Sequence, residues 1–282
     1  MRIVRAIDEL RSALEPRRGE AARIGLVPTM GYFHEGHLSL MRRAREACDV
    51  VVVSLFVNPT QFNDPADLEA YPRDETRDAA MAQSAGVDFL FAPSATEMYV
   101  HDASTAVSVD RVSEPLEGES RGAGHFRGVA TVVAKLFNIV QPTVAYFGQK
   151  DAQQALVIRR MVRDLNFPLR LEVCPTVREV DGLAMSSRNV RLSATARAQA
   201  LALKHGLDAA AAAVARGERD PAKVEREGRE AMKGFRVEPE YFAVVSAESL
   251  SMMRSLSGEI LLAVAARVGG VRLIDNQLVH AP

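Results

Sequence analysis

The chain has 282 residues, of which 48% are hydrophobic and 25% are charged, and its formal net charge is −1. A chain of this length and composition can bury a large core, which excludes a disordered protein and a small disulfide scaffold. The charge balance gives no electrostatic basis for binding nucleic acid or an anionic membrane surface.

The N-terminal stretch Met1–Leu10 is charged and helix-like, and it lacks the apolar core of a secretory signal. The most apolar stretches, near Val50–Val57 and Ile260–Ala266, are far shorter than the roughly 18–20 residues that span a bilayer. Cys48 and Cys174 lie in apolar surroundings without a CxxC or metal-binding spacing, which predicts buried free thiols. We therefore expect a soluble, cytoplasmic protein.

Short apolar runs alternate with helical segments over the first two thirds of the chain. The β-branched run Val50–Val57 is typical of a strand that is buried on both faces. The predicted strands are Ile24–Val27, Val50–Val57, Val87–Phe91, Val144–Phe147 and Leu169–Cys174. The predicted helices are Leu38–Cys48, Asp74–Ala85, Val129–Ile139 and Ala152–Leu165. This alternation indicates an α/β fold, with a Rossmann-like parallel sheet that has helices on both faces.

The pattern changes beyond Arg191, where a smaller α+β domain is predicted. Ser193–Arg216 is expected to form one long helix with Ser193 as its N-cap, and Pro221–Lys233 a second helix. The predicted strands of this part are Tyr241–Val245, Ile260–Ala266 and Val271–Leu273. We place the two domains at residues 1–177 and 178–282.

The segment Val27–Leu40, with the sequence VPTMGYFHEGHLSL, follows a predicted strand and opens a helix. Unpaired backbone N–H groups and the positive end of the helix dipole make this position suitable for a phosphate. Gly31 permits a tight turn there, and Gly36 allows a ligand to approach the backbone closely. His34 and His37 are three residues apart and share one face of the first turn, where they can donate hydrogen bonds to a phosphate.

Other interpretations of these histidines stay open on the spacing alone. A zinc site would favour HExxH, with the histidines four residues apart, so His34 and His37 fit it poorly. They could also be ordinary surface histidines. Glu35 could act as a general base, although a glutamate at a helix start more often interacts only with the dipole.

Polar side chains follow two further strands of the predicted sheet. Asn58 and Gln61 come after the second strand, at the carboxyl edge where parallel sheets bind ligands. An Asn-Pro turn explains Asn58 without any function. Lys150 follows another strand at a glycine turn and can reach a phosphate. It is one of only five lysines among 35 basic residues, while its neighbour Asp151 is equally explained as a helix cap.

A polar loop lies at the predicted domain boundary. Asp181 and Gly182 form a turn signal, and Ser186, Ser187 and Arg188 follow it. Hydroxyls, backbone N–H groups and a guanidinium together suit a polyphosphate. A polar linker loop is the alternative interpretation.

The motif His34-x-Gly36-His37 resembles the HxGH signature of the adenylate-forming nucleotidyltransferase superfamily. Four more stretches, SLFVNPTQF, GVATVVAKLFNIVQP, FGQKDAQQ and DGLAMSSRN, follow it. Together they resemble the pantothenate synthetase (pantoate–β-alanine ligase) family across essentially the whole chain. The stretch Ser120–Phe126 is about one residue longer than the family's SRPGHF, so no role is assigned to Arg121.

The resemblance implies the residues of the site. The ATP-binding residues would be Met30, Gly31, His34, Gly36, His37, Gly148, Lys150, Asp151, Val177, Met185, Ser186, Ser187 and Arg188. The residues that contact pantoate or β-alanine would be Gln61, Gln154, Asn58, Met30 and Tyr71. The catalytic residues would be His37, His34, Lys150 and Arg188. No protein metal site is expected.

The resemblance also implies the reaction and the partners. The pantoate carboxylate would attack the α-phosphorus of ATP, giving pantoyl adenylate and pyrophosphate. The β-alanine amine would then attack the acyl carbon, releasing AMP and pantothenate. Mg²⁺ would be carried mainly by the ATP phosphates. A homodimer is expected, with the C-terminal domain closing over the ATP site and with no nucleic-acid or membrane partner.

Three rival functions remain distinguishable by experiment. Another HxGH enzyme, such as a nucleotidylyltransferase, would lack the pair Gln61 and Gln154 and would release a dinucleotide instead of AMP. A nucleotide sensor on the same fold would bind ATP without pantoate-dependent release of pyrophosphate. A histidine-based metal protein is disfavoured by the histidine spacing.

Overall fold

The computed structural model describes residues 1–63 and 65–282. The chain divides into two compact units: Met1–Gly148 with Gln153–Pro175, and Gln149–Ala152 with Thr176–Pro282. The boundary proposed from the sequence, at 177/178, lies two residues beyond this division. The short segment Gln149–Ala152 belongs with the second unit, although its neighbours in the sequence belong to the first.

The first unit is built on a parallel six-stranded sheet with the order β1-β4-β3-β2-β5-β6. Its strands are β1 Arg2–Val4, β2 Ile24–Thr29, β3 Val50–Leu55, β4 Phe89–Phe91, β5 Val144–Gly148 and β6 Arg170–Cys174. The sheet therefore confirms the predicted α/β fold and the five strands that were expected from apolar runs.

Helices cover both faces of this sheet. They are α1 Ile7–Gly19, α2 Glu35–Ala47, α3 Pro65–Glu69, α4 Glu75–Ser84, α5 Ala95–Met98, α6 Glu117–Arg121, α7 Ala123–Val140 and α8 Ala152–Asp164. Alternate residues of one strand enter two different cores: Val50 and Val52 pack with α1 and α7, whereas Val51 and Val53 pack with α2 and α4. This two-sided burial explains why the strand is a continuous β-branched run.

The N-terminal stretch differs from the prediction. Arg2–Val4 is a strand that pairs with Phe89–Phe91, and the first helix begins only at Ile7. Val4 is fully buried beside its partner strand, about ninety positions away in the sequence, so tertiary pairing overrides the local helical pattern.

The second unit packs three helices on an antiparallel sheet with the order β7-β8-β9. Its elements are α9 Ala194–Ala200, α10 Ala202–Ala215, α11 Pro221–Lys233, β7 Pro239–Ser246, β8 Gly258–Val268 and β9 Val271–Ala281. The predicted single helix is divided at Leu201, but Ser193 caps it as expected by accepting the Ala196 N–H at 3.2 Å. Strand β9 extends well past the predicted Leu273 because it pairs with β8 along its full length.

Both cysteines are buried free thiols, as predicted. Within the described residues, no helix combines the length and the apolar character that crossing a membrane would require.

Candidate active site

Strand β2 lies inside the sheet, at the point where the order of the strands reverses. The chain passes from β2 to β3 on one side, whereas β5 lies on the other side of β2. In parallel sheets a crevice opens at the carboxyl ends of the strands at such a switch point, and ligands bind there. The predicted segments after β2, β3 and β5 all begin at this edge.

His34 and His37 form a reciprocal cap at the start of α2. His34 is the N-cap, and its Nδ1 accepts the Gly36 N–H at 3.2 Å. The Nδ1 of His37 accepts the His34 N–H at 3.3 Å, and the two ring centroids are 4.2 Å apart. The structure thus confirms that both imidazoles lie together on the first turn of a helix that follows a strand.

The cap also assigns the proton positions of the two imidazoles. A nitrogen that accepts a hydrogen bond from a backbone N–H carries no proton itself, so both neutral rings bear their hydrogen on Nε2. His34 and His37 therefore act as Nε2 donors beside the N-terminus of α2. This geometry suits an anion, because the helix dipole and both donors favour negative charge at the same place. Glu35, the alternative general base, instead pairs with Arg42.

Gln61 lies in a 3₁₀ turn, Pro59–Gln61, that follows β3. Its amide Nε2 is 2.8 Å from the sulfur of Met30, so the structure brings these two predicted ligand contacts together. The carbonyl oxygen of Gln61 accepts a hydrogen bond from His125 Nδ1 at 2.8 Å. The turn is therefore fixed both by its own side chains and by α7.

Asn58 is 1% exposed, and its amide is occupied inside the protein. Its Oδ1 accepts hydrogen bonds from the Thr60 hydroxyl and the Tyr99 hydroxyl, each at 2.9 Å. Its Nδ2 donates to Gly128 O at 3.1 Å and to Gln61 Oε1 at 3.2 Å. This is the turn geometry that the sequence left as an alternative, and it orients Gln61. A direct contact between Asn58 and substrate stays a prediction.

Gly128 is required by the close approach of α7 to this turn. A Cβ at this position would lie 2.4 Å from Thr60 O and 2.8 Å from Gln61 N, closer than real Cβ contacts allow. We expect Gly128→Ala to push the turn away, with a loss of about 1–3 kcal/mol in the free energy of unfolding. The KM of the substrate that is predicted to contact Gln61 should rise about 10-fold, because Gln61 is displaced. Denaturant unfolding and steady-state kinetics measure the two effects.

Gly19→Ala is the matched control for this variant. Gly19 also lies in a helix of the first unit, but nothing is within 4 Å of the Cβ that alanine would add. It should keep the wild-type KM for that substrate and gain about 0.5–1 kcal/mol of stability from the better helix former. An unchanged KM for that substrate in Gly128→Ala would contradict the predicted role of the turn.

The two glutamines at the start of α8 have different environments. Gln153 is buried and donates to the carbonyl oxygens of Val112 at 3.0 Å and Pro115 at 2.7 Å, so it holds the preceding loop. Gln154 is only half-buried, and among the described residues its amide has no hydrogen-bond partner. A contact between Gln154 and a substrate stays a prediction. Tyr71 is buried edge-on against Phe62.

Arg121 now has a defined local contact. It ends α6, and its Nε donates to Glu117 Oε2 at 2.7 Å, one helical turn earlier. Gly122 then adopts a φ of +77° before α7 begins, which accommodates the longer loop.

Lys150 belongs to the second unit, where Asn276 of β9 holds its backbone. The Asn276 Nδ2 donates to the carbonyl oxygens of Gln149 and Lys150, each at 2.9 Å. Gln149 Nε2 returns a hydrogen bond to Asn276 Oδ1 at 3.0 Å. The Lys150 ammonium is 3.5 Å from the Asp151 carboxylate, and α8 begins only after Asp151.

The predicted ATP contacts around residue 180 form one turn of the second unit. Met185 N–H donates to Val177 O at 3.0 Å, and Gly182 takes a φ of +94° between them, which confirms the turn signal. Ser186 caps the following 3₁₀ turn, Ser187–Arg191, by accepting the Arg188 N–H at 3.3 Å. Strand β9 contacts this turn as well as the Lys150 turn.

Three residues that support these turns were missed in the sequence. They are Asp78, Asn276 and Asp275, the last of which forms an ion pair with Arg178. Asp78 could have been noticed as an acidic residue on the face that α4 shares with the buried Ala82. Asp275 and Asn276 are adjacent buried polar residues of β9, a strand whose other buried residues are apolar. Nothing local indicates their partners.

A protein cage for a metal is not seen in the part of the chain that the structure describes. No group of three or more His, Cys, Asp or Glu residues there could hold an ion.

Comparison with known proteins relates the whole chain to one family. The family model described as pantoate-beta-alanine ligase matches residues 2–278. The pantothenate synthetase of Heliobacterium modesticaldum is 53% identical, covering 99% of this chain and 100% of that one. The crystal structure of the Thermus thermophilus pantothenate synthetase is 48% identical with a TM-score of 0.94, covering 99% and 100% of the two chains.

A third relative carries ligands. The Francisella tularensis pantoate-beta-alanine ligase, whose crystal structure is described as complexed with beta-gamma ATP and beta-alanine, is 35% identical. It has a TM-score of 0.80, with 99% of this chain and 97% of that one covered. The fold and the near-complete coverage agree with the motifs at the switch point. The chain belongs to the pantoate–β-alanine ligase family.

Proposed function

We propose that the residues described above carry out the ligation in this chain. The chain is an AMP-forming ligase that condenses (R)-pantoate with β-alanine. In the first step the pantoate carboxylate attacks the α-phosphorus of ATP and pyrophosphate leaves. In the second step the β-alanine amine attacks the acyl carbon of pantoyl adenylate and AMP leaves.

The observation that carries the assignment of the first step is the reciprocal histidine cap at the start of α2. The reciprocal hydrogen bonds hold the two Nε2–H donors in place at the helix N-terminus. Such preorganised donors stabilise charge that develops on phosphate oxygens in the transition state. His34 and His37 would act there, with Met30, Gly31, Gly36 and Gly148 allowing the nucleotide to approach the backbone.

Pantoate would be held by amide groups. Gln61 is oriented by Asn58 and lies against Met30, while the half-buried Gln154 amide is available for a substrate. Amides both donate and accept, which suits the hydroxyls and the carboxylate of pantoate. By orienting the pantoate carboxylate toward the α-phosphorus, these amides would reduce the entropy cost of bringing two anions together. Tyr71 would add an apolar wall.

Two cations would neutralise charge on the polyphosphate. Lys150, positioned by Asn276, and Arg188, in the turn capped by Ser186, provide two cations. The remaining contacts would be Asp151, Val177, Met185 and Ser187. An arginine can contact phosphate oxygens with two N–H groups, whereas the lysine acts as a point charge.

Mg²⁺ would reach the site on the ATP phosphates, because the described residues contain no cluster that could bind it. When bound, it neutralises phosphate charge. We also propose that the chain acts as a homodimer in the cytoplasm, on the family's pattern and on the composition. Nucleic acid and membranes are not expected as partners.

The test is pantoate-dependent exchange of labelled pyrophosphate into ATP, without β-alanine. A ligase that forms pantoyl adenylate exchanges label only when pantoate is present. Exchange that needs a phosphorylated cofactor precursor would indicate a nucleotidylyltransferase, and ATP binding without exchange would indicate a sensor. Either result would contradict the proposal.

A further inference from the structure

Asp78 is a buried carboxylate that no step of the mechanism uses. It lies on α4, is 1% exposed, and is separated from the histidine motif by more than forty positions in the sequence. Its Oδ2 accepts the Tyr32 N–H at 2.6 Å, and its Oδ1 accepts the Phe33 N–H at 2.7 Å. The carboxylate is thus bonded to the two residues that come directly before His34.

The backbone at this point has an unusual conformation. Gly31 has a φ of +86° and Tyr32 a φ of +52°, so two consecutive residues lie in the left-handed region. Successive N–H groups converge in such a turn and form a concave site for an anion. Here the anion is the Asp78 carboxylate. A tyrosine rarely adopts positive φ, because its Cβ crowds the backbone, so the turn needs an external hold.

The neighbouring Arg77 holds the same turn from its other side. Its Nη2 donates to Phe33 O at 2.8 Å, and its guanidinium carbon lies 5.0 Å from the centre of the Tyr32 ring. Two adjacent residues of α4 therefore bond the Tyr32 and Phe33 N–H groups and the Phe33 carbonyl oxygen. A Cβ on Gly31 would lie 2.5 Å from Leu55 and 3.0 Å from the carboxylate, so the turn packs tightly.

The chemistry of the contact explains why a carboxylate is needed. Two adjacent N–H groups require two acceptor atoms, and a carboxylate provides both oxygens. Burial raises the pKa of Asp78, while the hydrogen bonds from Phe33 and Tyr32 oppose that rise. An asparagine would keep the shape but would direct its NH₂ group at one of the two N–H donors, leaving it unsatisfied.

We propose that Asp78 is a positioning residue for the adenylation step: by holding Gly31–Phe33 in the left-handed turn, it sets the direction in which His34 and His37 meet ATP. This inference rests on the proposed role of the two histidines. Asp78 does not touch substrate, and its effect on the reaction is exerted through the turn and the start of α2.

The test compares Asp78→Asn with Asp88→Asn in pantoate-dependent exchange. Asp88 also accepts a backbone N–H, from Val51 at 2.8 Å, and pairs with Arg45, but it lies at the amino end of the strands. Asp78→Asn should lower kcat about 10- to 100-fold, since small displacements of catalytic groups have effects of this size. Asp88→Asn should lose stability with kcat within about 2-fold of wild type.

A double-mutant cycle separates positioning from a purely structural role. In a background that lacks both imidazoles, His34→Ala with His37→Ala, Asp78→Asn should lower kcat by no more than about 2-fold, because the groups that it positions are already absent. The same reduction in both backgrounds would overturn the inference, as would an Asp78→Asn enzyme that is less stable but has wild-type kcat. Wild-type exchange by His37→Ala itself would instead contradict the proposed function.

Arg77→Met keeps the inference testable if Asp78→Asn does not fold. The Arg77 side chain is 43% exposed, so its loss is tolerated structurally. It removes the hydrogen bond to Phe33 O and the 3.5 Å ion pair with the Asp78 carboxylate, while the Tyr32 and Phe33 N–H groups still donate to that carboxylate. A several-fold decrease in kcat with an unchanged β-alanine KM supports the positioning role, and a wild-type kcat in that variant overturns it.

Discussion

Lys150→Ala is expected to leave the fold intact and to lower kcat about 10²-fold or more, the effect of losing one preorganised group that faces developing charge. The side chain is 19% exposed and contributes no core packing, while Asn276 holds the turn through backbone carbonyl groups that alanine retains. The loss should therefore appear in kcat and not in stability. Turnover at saturating ATP and thermal unfolding measure the two quantities.

Lys233→Ala is the matched control, because it removes the same charge from the same unit. Its side chain is 64% exposed and pairs with Glu230, one turn away on α11. Surface pairs of this kind contribute little to stability, so this variant should behave as wild type in both assays. Near-normal turnover of Lys150→Ala at saturating ATP would remove Lys150 from the mechanism.

His37→Ala is expected to lower turnover in pantoate-dependent pyrophosphate exchange about 10²-fold, because one of the two Nε2–H donors is lost. The substitution also removes the acceptor for the His34 N–H, so the helix start should lose about 1 kcal/mol of stability. The exchange rate alone therefore does not separate the donor from the cap.

His37→Gln separates the two roles. Glutamine at the third helical position can accept the N-cap N–H in the same reciprocal arrangement, but it has no imidazole donor. Its stability should be close to wild type, while its exchange rate should stay as low as that of His37→Ala. Recovery of exchange in His37→Gln would show that the imidazole itself is not required, since the glutamine amide can serve both as the cap and as an N–H donor. His280→Ala, at an exposed position on β9, should change neither quantity.

Local patterns were sufficient where a feature depends on residues that are adjacent in the sequence. Val50–Leu55 is buried on both sides and is β-branched over most of its length, and α11 begins and ends where its proline and its charge pattern predict. The position of both histidines on the first turn of α2 follows from their three-residue spacing after a strand. The sheet edge that collects Gln61 and Gly148 follows from the alternation of strands and helices.

The remaining features depend on partners that are distant in the sequence. Strand β1 exists because β4 pairs with it. Asp78 acts on a turn more than forty positions earlier, and Asn276 holds the turn around Lys150, 126 positions earlier in the sequence. The sequence shows a polar residue in an apolar pattern at each site, but not which backbone groups it satisfies. Gln149–Ala152 belongs to the second unit for the same reason, because its partner Asn276 is distant in the sequence.

The most direct test of the central claim is AMP formation by the purified protein with ATP, Mg²⁺, pantoate and β-alanine, with each omitted in turn. The account predicts stoichiometric AMP and pantothenate in the complete mixture, and no AMP when pantoate or ATP is left out. Omission of β-alanine should stop turnover after one equivalent of adenylate per site. AMP formation that does not depend on pantoate, or a dinucleotide product, would contradict the claim.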